Sequence, residues 1–259
     1  MSQIELLFLG TGTSAGVPMI GCHCDVCASA DPHDHRDRPS VLISYDNANV
    51  LIDTTPELRL QCIAHNIDMI DAVVYTHAHA DHMMGLDDLR RFNVLKKAPL
   101  DVWADAPTFS ALDKCFGYAF IQPAHDLHSF RPHLVRKLIE KPFEISGQTW
   151  TPIELTHGKS SILGFRIGRL AYCTDVSAIP ENSFDLLRDL DVLVLDALQH
   201  KPHDKHFSLQ QAVEAAARIG AKQTLFTHIG HAMAHAKTNR ELPSDMQLAY
   251  DGQRVAASV

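Results

Sequence analysis

The stretch T-H-A-H-A-D-H, residues 76–82, places four potential metal ligands at the end of one hydrophobic segment. It directly follows D-A-V-V-Y, residues 71–75, which is typical of a buried strand. His77 and His79 lie two residues apart, so in an extended segment they project to the same side. Asp81 and His82 follow where the next helix would begin. A single tetrahedral metal with one open position needs only three protein ligands. Four ligands here, with more elsewhere in the chain, predict a pair of metal ions.

Three further donors stand at the carboxyl ends of other short apolar runs. They are His157 after P-I-E-L-T, Asp175 after L-A-Y-C-T, and His228 after T-L-F-T. The total of seven donors suits two metal ions that each have three ligands of their own and share one carboxylate. Any one of these histidines alone could instead be an ordinary surface or core residue. That alternative explains the four side chains of H-x-H-x-D-H poorly.

A second cluster is G-C-H-C-D-V-C, residues 21–27, with Cys22, Cys24 and Cys27. The chain begins without a basic segment followed by a long apolar run, and no window approaches the roughly 18 apolar residues that span a bilayer. We therefore expect a cytoplasmic, reducing location and no membrane contact, where clustered cysteines indicate a metal site rather than disulfides. A labile redox cluster and unmetallated thiols remain as alternatives. His23 is expected to face solvent.

The composition limits the class of protein. The 259 residues carry a formal net charge of −8, which argues against a broad basic face that coats nucleic acid. The 17 histidines are the outlier, and histidine is both the commonest metal ligand and a proton shuttle near neutral pH. The other three cysteines lie singly in apolar contexts and are predicted to be buried core thiols: Cys62, Cys115 and Cys173.

Strand-like and helix-like segments alternate along the whole chain, which predicts one α/β domain, residues 1–259, with a sheet sandwich covered by helices. The predicted strands are residues 4–9, 40–45, 49–52, 71–76, 192–195 and 223–226, with an antiparallel pair at 145–155 and 163–173. The predicted helices are residues 56–64, 85–95, 107–116 and 209–219. Residues 117–141 are either a lid over a site or a surface excursion. The glycine-rich residues 10–16 either admit a substrate or form a simple turn after the first strand.

The motif H-A-H-A-D-H, together with Asp53 after a strand and the later His, Asp and His, resembles the metallo-β-lactamase superfamily. The resemblance implies an αββα four-layer sandwich. It also implies a role for each donor, with His77, His79 and His157 on one metal, Asp81, His82 and His228 on the other, and Asp175 bridging them. Asp53 would support the ligands rather than bind metal. Di-iron oxygen-reducing members carry Glu at the position of His79, and two-zinc lactamases often carry Cys at Asp175, so this chain is closer to the dinuclear hydrolases.

The opening L-G-T-G-T-S-A-G-V-P-M-I-G-C-H-C-D-V-C narrows the resemblance to the phosphoribosyl cyclic phosphate phosphodiesterases of the carbon–phosphorus lyase pathway and their relatives. It extends from Leu6 to about Val255. In that group three cysteines at this spacing bind a structural zinc with a histidine three residues after the last active-site histidine. T-H-I-G-H supplies that residue as His231. A Cys3His set is a closed tetrahedral site. The resemblance also implies a homodimer.

The segment V-L-D-A-L-Q-H-K-P-H-D-K-H-F-S, residues 194–208, contains three more histidines. It resembles a superfamily segment in which an acidic residue at a strand end orients a histidine just before a helix. By this resemblance His206 is the general acid and Asp196 its orienting carboxylate, with Ser208 as the helix cap. His200 and His203 remain alternatives, as does a purely solvated loop.

These observations predict a dinuclear metal-dependent phosphodiesterase that cleaves a small, cyclic ribosyl or nucleotide phosphodiester through a metal-bridging hydroxide, with Asp81 counted among its catalytic residues. The active-site metals would be zinc, manganese or iron, beside one structural zinc. The first alternative is a tRNA 3′-processing endonuclease, for which R-R-F-N-V-L-K-K and R-P-H-L-V-R-K are candidate basic patches, although extended nucleic-acid binding is not expected. The second is a lactone or thioester hydrolase, and the third a zinc-buffering protein with a vestigial site.

Overall fold

Two seven-stranded β-sheets form the centre of the computed structural model, which describes residues 3–46, 48–121 and 130–259. In spatial order the first sheet holds β14 (Arg254–Ser258), β1 (Gln3–Gly10), β2 (Ser40–Tyr45), β3 (Ala48–Ile52), β4 (Ala72–Val74), β5 (Leu100–Ala104) and β6 (Leu134–Leu138). The second sheet holds β13 (Met246–Leu248), β12 (Gln223–Thr227), β11 (Val192–Asp196), β10 (Leu170–Cys173), β9 (Ser160–Ile167), β8 (Gln148–His157) and β7 (Phe143–Ile145).

Alternating apolar side chains pack the two sheets face to face. In β1, Ile4, Leu6 and Phe8 enter the cluster between the sheets, whereas Leu7 and Leu9 enter the cluster on the outer face. In β11 the pattern repeats with the second sheet: Val192 and Val194 point inward, and Leu193 and Leu195 point outward. Every strand that is apolar on both faces must be covered on both faces, so each sheet needs a layer of helices on its outer side.

Within the described residues, seven helices supply these outer layers and the connections. They are α1 (Leu58–Ala64), α2 (Ala80–Met83), α3 (Arg90–Lys96), α4 (Ala106–Phe116), α5 (Glu181–Phe184), α6 (Leu209–Ile219) and α7 (His235–Glu241). Leu58, Phe92 and Leu112 bury α1, α3 and α4 against the first sheet. Ala212 and Ala216 bury α6 against the second. The predicted αββα sandwich is therefore confirmed.

The strand directions bring several strand ends to one edge. In the first sheet, β3, β4 and β5 run parallel to one another. In the second, β10, β11 and β12 do the same. The carboxyl ends of parallel strands meet at a common edge, where sheets of this kind bind ligands. The residues that follow β3, β4, β10 and β12 are therefore the ones to examine for chemistry.

The structure corrects several predicted element boundaries. The run 163–173 is two strands, β9 and β10, because Gly168 takes a left-handed conformation with φ 53° and turns the chain. Ser146 and Gly147, also at positive φ, separate β7 from β8 within the run 145–155. The antiparallel pairing of β8 with β9 agrees with the prediction. The run 85–95 begins as a 3₁₀ turn, Leu86–Leu89, before α3.

The prediction of three buried single cysteines is wrong at one position. Cys62 and Cys173 are buried, but Cys115 is exposed. On α4 the buried side chains include Leu112 and Phe116, and Cys115 lies at the flank of this buried face, where its side chain reaches solvent.

Residues 117–141, predicted to be a lid or a surface excursion, lie partly outside the described residues, at 122–129. Their described parts include a 3₁₀ turn, Gly117–Phe120, and the edge strand β6. Among the helices in the described ranges, none has the length and apolar character needed to cross a membrane.

Candidate metal centre

The segment of residues 76–82 connects β4 to α2 and turns sharply. His79 has an extended backbone just before α2, and its carbonyl accepts a hydrogen bond from the His82 N–H at 3.0 Å. His77 therefore lies on the strand side of the turn, while Asp81 and His82 lie in the first turn of the helix. This turn is what lets four donors approach one another.

The second sheet contributes three donors from three strand ends. His157 is the last residue of β8, Asp175 follows β10, and His228 follows β12. Asp175 and His228 take left-handed backbone conformations, with φ 61° and 57°. Such values are uncommon for non-glycine residues and recur at functional sites. Here they turn the side chain away from the line of the strand.

The structure gathers the seven donors into two groups that share Asp175. Within each group the ligand atoms all lie within 4.8 Å of one another. One group holds His77, His79, His157 and Asp175; the other holds Asp81, His82, Asp175 and His228. The Asp175 carboxylate stands between the groups, with Oδ1 3.2 Å from His82 Nε2 and Oδ2 3.7 Å from His77 Nε2.

The nitrogen atoms that face the centre of these groups fit a divalent cation. The Nε2 atoms of four buried histidines have no hydrogen-bond partner among the described residues: His77, His82, His157 and His228. Orphaned buried nitrogens are rare in folded proteins. The Nδ1 atoms of three of these rings are held from behind, which directs the Nε2 lone pair inward, as in metal-binding histidines.

Asp53 is the residue behind His82. Its Oδ2 accepts hydrogen bonds from His82 Nδ1 at 2.7 Å and from the Thr76 hydroxyl at 2.7 Å. Its Oδ1 accepts from the Thr76 main-chain N–H at 2.9 Å. The Thr76 hydroxyl oxygen in turn accepts from His77 Nδ1 at 3.0 Å. One buried carboxylate thus orients a histidine of each group, and it belongs to neither group itself.

The electrostatics of the site differ between the groups: the imidazoles of the first are kept neutral, whereas those of the second pair with ionised carboxylates. Burial lowers the pKa of His157 to about 4, and burial lowers that of His77 well below its usual value. Burial alone would raise the pKa of Asp175, but His228 and His82 hold it well below its usual range. In return, although burial opposes it, Asp175 raises the pKa of His228 to about 9. The buried carboxylates therefore require positive charge, which metal ions would supply.

A carboxylate–histidine pair adjoins both groups. Asp196, the last residue of β11, accepts hydrogen bonds at Oδ2 from His206 Nδ1 and from the Val176 N–H, each at 2.9 Å. The His206 ring centroid lies 4.5 Å from that of His228 and 4.8 Å from that of His157. His206 therefore touches one donor of each group.

The position of His206 follows from the start of α6. Ser208 caps this helix, and its capping box with Gln211 is complete. His200 and His203 are exposed; the His203 ring lies 5.3 Å from that of His206. Neither belongs to a metal-type group of the described residues.

The cysteine cluster forms a separate group with the loop after β12. The donor atoms of Cys22, Cys24, Cys27 and His231 all lie within 4.8 Å of one another. His231 Nδ1 is 3.3 Å from the sulfurs of both Cys22 and Cys24. The Cys27 N–H, and then His231, lower the pKa of Cys24 to about 6, whereas burial raises that of Cys27 to about 11. A bound cation would deprotonate both, as in zinc sites. His23 is exposed and outside the group.

The glycine-rich turn packs beside the loop that carries His228. Gly12 forms a bridge with Ile229, and the Thr13 N–H donates to the Ile229 carbonyl at 3.1 Å. A Cβ at Gly10 would lie 2.0 Å from the Arg38 carbonyl, so only glycine fits. The glycines thus allow close contact between chain segments, and a contact with substrate stays a prediction.

Several contributors to the site were missed from the sequence. Thr76 links Asp53 to His77, and the Lys205 carbonyl accepts a hydrogen bond from His157 Nδ1 at 2.8 Å. A threonine next to H-x-H gives a weak signal. A main-chain carbonyl gives none, because every residue has one.

Comparison with known proteins adds three observations. A family model described as a β-lactamase superfamily domain matches residues 48–229. An octanoyltransferase of Porphyromonas gingivalis is 34% identical over 96% of this chain and 51% of that protein, so the chain spans about half the length of this curated relative. A ribonuclease Z of Clostridium acetobutylicum is 38% identical over 24% of this chain and 21% of its own length.

A solved structure is similar over nearly the whole chain. It is described as a new diphosphatase from the PhnP family, with a TM-score of 0.92 and 43% identity, and the alignment covers 99% of this chain and 98% of that one.

Proposed function

From the premise that the chain belongs to the metallo-β-lactamase superfamily, we propose that it is a dinuclear metal-dependent phosphodiesterase for small substrates. The observation that carries the proposal is the pair of donor groups that share Asp175 beside the Asp196–His206 pair. Phosphoryl chemistry is also what the name of the similar diphosphatase describes. The donor set suits zinc, manganese or iron in the shared site and zinc in the cysteine site.

The proposed reaction joins water to phosphorus and releases an alcohol. When bound, two divalent cations in these groups would activate the water and neutralise charge on the phosphoryl oxygens. The phosphorus–oxygen bond to the leaving group breaks, the leaving oxygen takes the Nε2 proton of the His206 imidazolium, and the proton that the attacking water loses passes to solvent. Asp196 accepts from His206 Nδ1, so the proton to be delivered sits on Nε2, the ring atom opposite that hydrogen bond.

The supporting residues keep the reactive groups in place. Asp53 fixes His82 and, through Thr76, His77. The Lys205 carbonyl fixes His157. Asp81 Oδ2 lies 3.5 Å from the Nε2 atoms of both His82 and His228. These fixed dipoles and charges are in place before substrate arrives, which is the usual basis of electrostatic catalysis.

An RNA phosphodiesterase is the second candidate. It is favoured by the match to ribonuclease Z, which covers a quarter of the chain. The net charge of −8 opposes it, because RNA binding draws on a basic surface.

The test is hydrolysis of bis(p-nitrophenyl) phosphate by the metal-loaded protein, beside a lactone, a thioester, a diphosphate and a precursor tRNA. We expect turnover of the diester, and about three metal ions per chain by elemental analysis. Asp175→Ala should abolish turnover, and His200→Ala, which changes an exposed histidine, should retain it. Preference for the lactone or thioester, or full activity in Asp175→Ala, would contradict the proposal.

A further inference from the structure

The candidate centre is open to solvent at one donor. Of the seven donors, six are buried and His79 is exposed. His79 belongs to the group with His77 and His157, and its ring centroid lies 4.9 Å from that of His157. A substrate must therefore approach from the side of His79 and His157.

Lys205 is held on that same side. Its carbonyl accepts from His157 Nδ1 at 2.8 Å, and its N–H donates to His203 Nδ1 at 3.2 Å. The stem of its side chain runs along Gly158, where an added Cβ would lie 3.1 Å from Lys205 Cγ. Glycine at 158, with φ 62°, leaves the space that this stem occupies.

The ammonium group at the end of this stem is available for a ligand. Lys96, Lys137 and Lys222 each pair with an aspartate. Within the described ranges, no carboxylate lies within ion-pair distance of Lys205. Lys205 itself is exposed, and its main chain holds His157, the ring that lies beside the exposed His79.

We propose that Lys205 is a substrate-binding residue whose Nζ donates to a non-bridging oxygen of the scissile phosphoryl group. The inference rests on the proposed function. It adds a protein cation to the metal ions on the side of the centre where His79 is exposed. A non-bridging oxygen carries the formal charge of a phosphodiester, and a hydrogen bond to a charged partner changes affinity by about 10- to 100-fold.

The test uses the metal-loaded protein and inorganic phosphate as the probe. Lys205→Met keeps the length of the stem without the charge, Lys205→Arg keeps the charge, and Lys201→Met changes an exposed lysine of the same loop. By calorimetry, the dissociation constant for phosphate should rise about 10- to 100-fold in Lys205→Met and remain near the wild-type value in the other two. Metal content should be unchanged, because the carbonyl that holds His157 remains.

Kinetics separate this inference from the proposed function. For bis(p-nitrophenyl) phosphate, Lys205→Met should lower kcat/KM about 10- to 100-fold. Diester hydrolysis with unchanged phosphate affinity in Lys205→Met would overturn the role of Lys205 and leave the phosphodiesterase proposal in place. Weakened phosphate binding in Lys205→Met, in a protein that hydrolyses no diester, would support the role of Lys205 and contradict the phosphodiesterase proposal. Loss of metal in Lys205→Met would show a structural role instead and also overturn the inference.

Discussion

Three side chains at the candidate centre depend on an unusual backbone conformation. Asp53, Asp175 and His228 all have φ between 57° and 63°. A non-glycine residue in this region costs on the order of 1–3 kcal/mol. Asp53 recovers that energy through three hydrogen bonds in a fully buried position. Asp175 and His228 offset this cost through their mutual contact, 3.5 Å between Oδ2 and Nε2, and through the other charged side chains of the two groups.

The His206 proton is best tested with leaving groups of different basicity. His206→Ala should lower kcat about 100- to 10,000-fold for a diester with an alkoxide leaving group, because that oxygen must be protonated. The loss should be much smaller with p-nitrophenolate, which leaves readily without a proton. Steady-state kinetics on both substrates, with metal content measured in parallel, check this expectation.

The matched controls are Asp196→Asn and His203→Ala. Asp196→Asn removes the carboxylate charge that orients His206, so it should show the same dependence on leaving group in weaker form. His203→Ala, an exposed neighbour, should be nearly wild type. If the leaving-group dependence appears in His203→Ala and not in His206→Ala, then His203 delivers the proton and the role given to His206 is wrong.

At the level of elements, the loop after β12 is held from two sides. Arg36, only 1% exposed, donates from Nη2 to the Met233 carbonyl at 2.9 Å and from Nη1 to the Gly230 carbonyl at 3.4 Å. Asp34 accepts from Arg36 and from the His235 N–H. On the other side, His231 adjoins the cysteine cluster. His228 leads this loop, so both attachments bear on its position.

Loss of the cysteine group should therefore have a thermal and a catalytic effect. We expect His231→Ala or Cys24→Ser to release one zinc and lower Tm by about 5–10 °C, since a bound metal contributes a few kcal/mol and 1 kcal/mol shifts Tm by about 2–4 °C at this size. Diester turnover should fall as well, because His228 is less firmly placed. Elemental analysis and calorimetry measure both effects.

Cys115→Ser is the control for this experiment, since Cys115 is exposed on α4 and outside the cluster. It should keep all metal and the wild-type Tm. If His231→Ala also keeps its full metal content, His231 is not the fourth ligand.

Elements with a strong local signal were predictable from the sequence. Helix α6 has a capping box and a regular apolar face, and its predicted bounds agree with the structure. Strand β1 is a short apolar run that ends at Gly10, and its position was also predicted. By contrast, β5, β6, β7, β13 and β14 were missed. All of these except β5 lie at a sheet edge, where a short strand exists through pairing with a neighbour rather than through its own pattern.

The candidate site was predictable to a similar, limited extent. Ligand-type residues at strand ends stand out in a sequence, and the structure gathers all seven. Their supports do not stand out. The Lys205 carbonyl and the stem of Lys205 along Gly158 depend on a contact between two loops 47 residues apart or more, which no local pattern encodes.

On the scale of the whole molecule, the candidate centre joins the two sheets. The first sheet contributes His77, His79, Asp81 and His82, through the connection from β4 to α2. The second contributes His157, Asp175 and His228. Between the sheets, the apolar cluster that includes Phe8, Trp150 and Tyr172 holds the layers together independently of any ligand. Metal ions at the edge would add links between the layers without being needed to form them.

Metal removal should therefore lower stability without abolishing the fold. A chelator that strips the shared site leaves Asp81 and Asp175 buried with less compensating charge, so we expect Tm to fall by about 5–10 °C for each ion lost. Zinc or manganese should restore it, and far-ultraviolet circular dichroism at 20 °C should stay unchanged. His231→Ala separates the effects of the two sites. This variant lacks the zinc of the cysteine site, so any further fall in its Tm on chelation belongs to the shared centre. Equal Tm values for stripped and loaded protein would show that the ions do not link the sheets.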